Sequence, residues 1–134
     1  MATNNSPQSR LVPPTGFIFH ESRVGSTLVA NLLATDPYSM VFSESAPPVY
    51  ALRHLCNSCS RSRRVRLFRN VVTAMGCSPV HKRLFFKFQS ISTTEIGIAL
   101  EAFPDVPWVF LFRHPVQTMM SHLDTGWFGS FFGT

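Results

Sequence analysis

The stretch GFIFHESRVGSTLVANLL, residues 16–33, places a short apolar run directly before a glycine, two hydroxyl residues and a helical pattern. The run GFIFH is rich in β-forming residues and too short for a helix, so it predicts a buried strand. From Ser26 onward, apolar residues recur at helical spacing until the turn signal Asp36-Pro37. The stretch therefore predicts a strand that turns directly into a helix.

The rest of the chain alternates strand and helix patterns in the same way. Ser92 and Glu95 have the spacing of a capping box before an amphipathic helix. The run 109–112 is wholly apolar, so we expect a central strand there. Further strands are expected at 38–42 and 84–88, and helices at 49–55, 63–75, 92–103 and 116–123. This alternation predicts an α/β fold with a parallel β-sheet flanked by helices.

Composition limits the class of protein. The 134 residues are enough for one domain, 45% of them are hydrophobic, and the formal net charge of +5 favours an anionic partner. The polar, proline-containing residues 1–14 lack the features of a signal peptide, and no apolar run is long enough to span a membrane. We therefore expect a flexible leader at 1–14, a domain at 15–134, and a cytoplasmic location. Three cysteines, an odd number, favour reduced thiols.

The turn between the first strand and its helix has the residues of a phosphate site. The first backbone N–H groups of a helix are unpaired and lie at the positive end of its dipole. Gly25 would let an anion approach them, Ser26 and Thr27 add hydroxyl donors, and Arg23 adds charge. The motif is not a nucleotide-hydrolase P-loop, which needs glycine and lysine where this chain has His20 and Ser26. We accordingly predict no metal.

A second cluster with anion-binding side chains follows the last predicted strand. Arg113 lies just past its carboxyl end, the edge of the sheet where the first turn must also lie. On the helix that begins near Pro115, Thr118 and Ser121 are one turn apart. One ligand with two separated phosphate groups would explain both clusters.

Together the two clusters resemble the nucleotide-binding half of sulfotransferases that use 3′-phosphoadenosine 5′-phosphosulfate (PAPS). The family's 5′ loop, [RK]-x-G-[ST]-[ST], corresponds here to Arg23-Val24-Gly25-Ser26-Thr27. Its 3′-phosphate segment, R-[DN]-P-x(5)-S, corresponds to Arg113 through Ser121, with His114 replacing the acid or amide. The resemblance implies a P-loop NTPase-like sulfotransferase fold, a co-substrate PAPS and an acceptor of unknown identity. Family domains are longer, so the resemblance also implies a partial domain truncated at its C-terminus.

The resemblance also implies catalytic residues. The family needs a base for the acceptor's proton and cations for the departing phosphate. The cytosolic branch takes both from a Lys-x-His at the end of the third strand; this chain has Lys87 there but Gln89 in place of the histidine. In the tyrosylprotein branch a glutamate follows the second strand, twenty-one residues after the loop arginine, which here is Glu44. Glu44 is therefore the predicted base, and Lys87 the predicted cation.

Several other interpretations stay open. The chain could be an inactive fragment or a nucleotide-binding relative without transferase activity. Cys56, Cys59, Cys77 and His81 have the spacing of a zinc site. The basic segment 61–69 could bind nucleic acid, although a solvated helix face is the simpler interpretation. The aromatic segment 127–132 would favour self-association if it were exposed.

Overall fold

The computed structural model describes residues 9–53 and 58–124. The strands are β1 (Arg10–Leu11), β2 (Gly16–His20), β3 (Ser39–Ser43), β4 (Cys77–Ser78), β5 (Arg83–Lys87) and β6 (Trp108–Leu111). The helices are α1 (Ser26–Ala34), α2 (Ala46–Arg53), α3 (Arg61–Met75), α4 (Ile96–Ala102) and α5 (Pro115–Asp124), with a 3-10 helix at Ser90–Glu95. None of these helices is long and apolar enough to cross a bilayer.

The main sheet has four strands in the order β3-β5-β2-β6, and every pairing in it is parallel. This confirms the predicted α/β class with a parallel sheet flanked by helices. The chain leaves β2 toward β3 and β5 on one side and reaches β6 on the other. The strand order therefore reverses at β2, and the carboxyl end of such a strand borders the crevice where open α/β sheets bind ligands.

The core lies between one face of the sheet and helices α2, α3 and α4. It is built on aromatic rings: the ring of Phe17 meets those of Phe86 and Phe88 edge to face, and the rings of Phe19 and Phe88 stack 4.9 Å apart. The opposite face carries α1, whose Val29 and Leu33 line an apolar cavity of about 280 Å³ with Ile18. Aromatic burial on this scale fixes the position of β2, and with it the turn that follows.

Most predicted elements are present within one or two residues of their expected bounds. The helix expected at 49–55 is observed as α2, which begins three residues earlier, and residue 55 lies outside the described residues. Two expectations are wrong. Within the described residues β6 pairs with β2 alone, with Trp108 and Val109 about half exposed, so this apolar strand lies at an edge. The capping box is absent because Ser92 lies inside the 3-10 helix, with its hydroxyl buried.

The expected flexible leader is also wrong for the part that the structure describes. Arg10–Leu11 pairs with Cys77–Ser78 as an antiparallel ribbon. Val12 is buried in the core, and its backbone N–H donates to the carbonyl of Gly76 at 2.8 Å. The domain therefore begins before residue 15; residues 1–8 lie outside the described part.

The expectation of reduced thiols is wrong at one position. Cys59 is disulfide-bonded, whereas Cys77 is free and exposed. A sulfur in a disulfide cannot serve as a thiolate ligand. Odd cysteine counts therefore do not exclude a disulfide when one thiol remains free.

The Asp36-Pro37 turn joins α1 and β3 to the neighbouring strand. The carboxylate of Asp36 accepts hydrogen bonds from the hydroxyl of Ser39 and from the guanidinium of Arg83, whose Nη2 lies 2.9 Å away. These two bonds, the Ser39 bond first, hold the pKa of Asp36 below its ordinary value of 3.8. The ionised carboxylate therefore fastens the end of α1 to the start of β5.

Candidate functional site

The loop between β2 and α1 has an unusual backbone. Arg23 and Gly25 both have positive φ, 62° and 84°. Gly25 is the N-cap of α1, and a Cβ placed on it would meet no atom within 4 Å. A glycine here removes the strain of positive φ and leaves open space over the helix end. Arg23 keeps positive φ without that relief, which is a strain of the kind found at binding sites.

The beginning of α1 is open to an anion. No side chain caps it, and its first turn contains no acidic residue. Its first hydroxyl residue, Ser26, is buried, whereas Thr27 is exposed. The unpaired N–H groups and the helix dipole therefore meet no competing negative charge within the first turn.

One hydrogen bond joins the loop to the last described helix. The Nε of Arg23 donates to the hydroxyl of Ser121 on α5, 3.1 Å away. The two residues come from the two motifs that the sequence singled out, and they are 98 positions apart. The structure thus brings Ser121 of the second predicted cluster to the loop of the first.

Glu44 and Lys87 form an ion pair beside this loop. The Nζ of Lys87 donates a short hydrogen bond to Oε1 of Glu44, and the backbone N–H of Glu44 donates to the carbonyl of Lys87 at 2.7 Å. The side chain of Lys87 is only 2% exposed, whereas that of Glu44 is 43% exposed. Glu44 has a φ of 54°, a conformation that costs a non-glycine residue energy. Both contacts with Lys87 hold it there.

His20 lies beside this ion pair. His20 is the last residue of β2, and its side chain is 5% exposed. Its Nε2 lies 3.7 Å from Oε1 of Glu44 and has no hydrogen-bond partner among the described residues. Sequence patterns do not reveal the pairing of His20 with Glu44, because it depends on how β2 and β3 are placed.

These groups line one cavity of about 590 Å³. Its lining includes the predicted residues Arg23, Val24, Gly25, Ser26, Thr27, Glu44 and Ser121, together with His20, Ser22 and Ser90. No sequence pattern indicates Ser22 and Ser90, because isolated serines are common on loops and at helix starts. A cavity with cationic, hydroxyl and carboxylate groups can bind an anion and accept a proton in the same space.

Two predicted residues do not line this cavity. Lys87 is not among the lining residues, and its ammonium contacts Glu44, which does line the cavity. Arg113 is exposed past the end of β6, and its Nε donates to the side-chain oxygen of Gln117 at 2.9 Å. Arg113 therefore follows the strand next to β2, but it is not among the residues that line the cavity.

The competing interpretations find little support in the described residues. Two of the expected zinc ligands have other partners: Cys59 is in a disulfide, and Nδ1 of His81 forms a 2.7 Å hydrogen bond with Ser78. A third, Cys56, lies outside the described part. No cluster that could hold a metal occurs in that part. In the basic segment, Arg61 pairs with Glu101 and Arg64 with Glu95, so both cations fasten α3 to its neighbours.

We compared the chain with protein-family models, curated proteins and solved structures, and none of them matches. The function must therefore be inferred from the residues and geometry of the cavity.

Proposed function

We propose that this chain is a sulfotransferase that moves a sulfuryl group from PAPS to a hydroxyl or amine acceptor. The observation that carries the proposal is the single cavity shared by the loop 22–27, Glu44 and Ser121. An anion-binding helix start, a second anion-binding hydroxyl and a carboxylate come to it from separate parts of the sequence. Sulfuryl transfer requires this combination, because the donor is a bound polyanion and the acceptor must lose a proton.

The loop residues would hold the 5′ end of the donor. The fit is supported by the open space over Gly25, by the lack of acidic residues in the first turn of α1, and by the position of Ser26 in the cavity lining. Backbone N–H groups at a helix start suit a phosphate because their partial positive charge is fixed in place. Arg23 would add a formal charge at the rim of the same cavity.

The 3′-phosphate would be held by Arg113 and Ser121. Ser121 lines the cavity and already accepts a hydrogen bond from Arg23. Arg113 is exposed and is held by a single amide oxygen of Gln117, a neutral acceptor. A phosphate is a stronger partner for a guanidinium than an amide oxygen is. We propose that Arg113 exchanges Gln117 for the 3′-phosphate when the nucleotide binds.

Glu44 would accept the proton of the acceptor. Its carboxylate lines the cavity and is 43% exposed, so a substrate hydroxyl or amine can reach it. Lys87 would supply positive charge near the transferring group, and in the structure it also fixes the carboxylate of Glu44. These roles correspond to general-base catalysis by Glu44 and electrostatic stabilisation by Lys87.

Calorimetry with adenosine 3′,5′-bisphosphate tests the binding half of the proposal. We expect the unmodified chain to bind it, and Arg23→Ala and Arg113→Ala to weaken binding. The matched control is Arg66→Ala, an exposed arginine on α3 away from the cavity. Failure of the unmodified chain to bind would contradict the proposal. Binding dominated by a steep salt dependence, with no response to this nucleotide, would instead favour the nucleic-acid interpretation.

A transfer assay with sulfur-labelled PAPS tests the chemistry. The acceptors would be a simple phenol, a tyrosine-containing peptide and an amino sugar, which cover hydroxyl and amine classes. We expect transfer by the unmodified chain and at least a 10²-fold loss in Glu44→Gln, the lower bound typical of general-base removal. Nucleotide binding without any transfer would identify a nucleotide-binding relative and contradict the enzyme proposal.

A further inference from the structure

His20 has a ring nitrogen with no hydrogen-bond partner. Its Nε2 is enclosed, finds no partner in the described part of the chain, and lies 3.7 Å from Oε1 of Glu44. A buried nitrogen without a hydrogen bond is costly, so native structures seldom keep one without a function. The nearest charged oxygen is that of the residue proposed to take the acceptor's proton.

The other nitrogen of the ring fixes the tautomer. Nδ1 of His20 lies 2.7 Å from the backbone carbonyl oxygen of Glu21. A carbonyl oxygen can only accept, so Nδ1 must carry a hydrogen. In the neutral ring the lone pair is therefore on Nε2, directed toward the Glu44 side of the site. This is how a histidine is prepared to receive a proton at one chosen nitrogen.

Oε1 of Glu44 lies between two basic side chains. The same Oε1 that faces His20 accepts a hydrogen bond from the buried ammonium of Lys87. The ammonium has no lone pair, so Nε2 of His20 is the neighbour of this oxygen that can accept a proton. A proton placed between the carboxylate and Nε2 would be bound by both groups.

We infer that His20 and Glu44 form one proton-accepting pair, in which Glu44 takes the proton from the sulfuryl acceptor and passes it to Nε2 of His20. This inference rests on the proposed function. In the step, the acceptor's oxygen or nitrogen forms a bond to sulfur, and the bond from sulfur to the bridging phosphate oxygen breaks. The electron pair of that bond stays on the 5′-phosphate. The acceptor's proton reaches Nε2, which leaves imidazolium beside carboxylate, and His20 acts as a positioning residue through Glu44.

The charged groups around His20 make the coupling measurable without catalysis. They are Glu44 from the end of β3, Lys87 from β5, Arg23 from the loop and the exposed neighbour Glu21. In nitrogen-detected NMR of the histidine rings, we expect the neutral ring of His20 to carry its hydrogen on Nδ1. Glu44→Gln should shift the Nε2 resonance of His20, because the charged oxygen nearest to that nitrogen is lost. Lys87→Met should shift it as well, because the ammonium shares that same Oε1.

The matched control is Glu21→Gln, which removes a neighbouring carboxylate but keeps the backbone carbonyl that Nδ1 uses. It should leave the Nε2 resonance of His20 unchanged within error. An unchanged Nε2 resonance in Glu44→Gln, or a neutral ring protonated on Nε2, would overturn the inference. This result does not depend on nucleotide binding, so it is distinguishable from failure of the proposed function.

The transfer assay supplies the second readout. His20→Gln should lower kcat by about 10²-fold and leave KM for the donor unchanged, since the lost interaction matters only when the proton moves. His81→Gln is the control, a histidine with one similar hydrogen bond outside the cavity lining. If His20→Gln transferred sulfate with the kcat of the unmodified chain, the inference that His20 and Glu44 act as a proton-accepting pair would be overturned. The sulfotransferase proposal would then still stand.

Discussion

Arg23 donates a hydrogen bond from Nε to the hydroxyl of Ser121, 3.1 Å away, and so links the loop after β2 to helix α5. Both side chains line the cavity at the carboxyl edge of the sheet. An arginine held this way keeps its remaining N–H groups available for a bidentate contact with phosphate. The loop and α5 are therefore linked directly through Arg23 and Ser121.

Removing this arginine should weaken nucleotide binding. We expect Arg23→Ala to raise the Kd for adenosine 3′,5′-bisphosphate about 10- to 100-fold, because a hydrogen bond to a charged group contributes about 1.5–3 kcal/mol. Ser121→Ala should raise it less, since its hydroxyl is neutral. Calorimetry on the single and double variants would show effects that do not add, as expected for groups in contact. Strict additivity would contradict a shared binding role.

Arg113 should recognise the 3′-phosphate specifically. Arg113→Ala is expected to weaken the binding of adenosine 3′,5′-bisphosphate by about 10-fold or more, because a charge-assisted contact is lost. It should leave binding of adenosine 5′-phosphosulfate, which lacks the 3′-phosphate, unchanged. Gln117→Ala is the matched control, because it frees the same guanidinium without removing it. If Arg113→Ala lost equal affinity for both nucleotides, Arg113 would contact a part of the ligand other than the 3′-phosphate.

The buried ion pair should respond unequally to loss of its partners. Glu44→Gln leaves the ammonium of Lys87 almost fully buried without its counter-charge, and we expect a loss of about 2 kcal/mol in the free energy of unfolding. Lys87→Met leaves a carboxylate that is 43% exposed and can be hydrated, so the expected loss is smaller, under about 1 kcal/mol. Urea unfolding would measure both. The reverse order would mean that Lys87 is hydrated in solution.

Two glycines should resist substitution for different reasons. Gly25→Ala places a side chain at φ 84° in open space, so only backbone strain of about 1–2 kcal/mol is expected. At Gly76 a Cβ would lie 2.3 Å from the carbonyl oxygen of Val12. That clash is with backbone, and Gly76→Ala should cost about 2–3 kcal/mol, as overpacking does. Urea unfolding of both variants tests the order, and equal losses would contradict it.

The Asp36–Arg83 contact should make stability depend on acid. The pKa of Asp36 is lower in the folded chain than its ordinary value of 3.8, mainly because Ser39 and Arg83 donate to it. Its contribution is therefore fully present above that ordinary value and is lost as pH falls through the lower, folded value. Asp36→Asn should be less stable than the unmodified chain at neutral pH, and the difference should shrink below pH 4. A difference that persists unchanged in strong acid would contradict this.

Local sequence patterns were sufficient to predict most of the strands and helices and the loop after β2. β2 has the predicted bounds, and α1 begins at Ser26 as expected, because a short apolar run and a 3.6-residue period depend only on near neighbours in sequence. The edge position of β6 could not be predicted in this way. Its residues are as apolar as those of a central strand, and only the strand order shows which side is unpaired.

Local sequence patterns are enough to predict an α/β domain with a glycine turn suited to an anion, and to name the residues of both clusters. Which of these residues meet depends on the tertiary fold. Parallel pairing in the order β3-β5-β2-β6 brings Glu44 and Lys87 beside His20, and the same sheet edge brings Ser121 to Arg23 while Arg113 stays outside the lining. The physical reason is that contacts between distant residues depend on strand order and register, which no local spacing encodes.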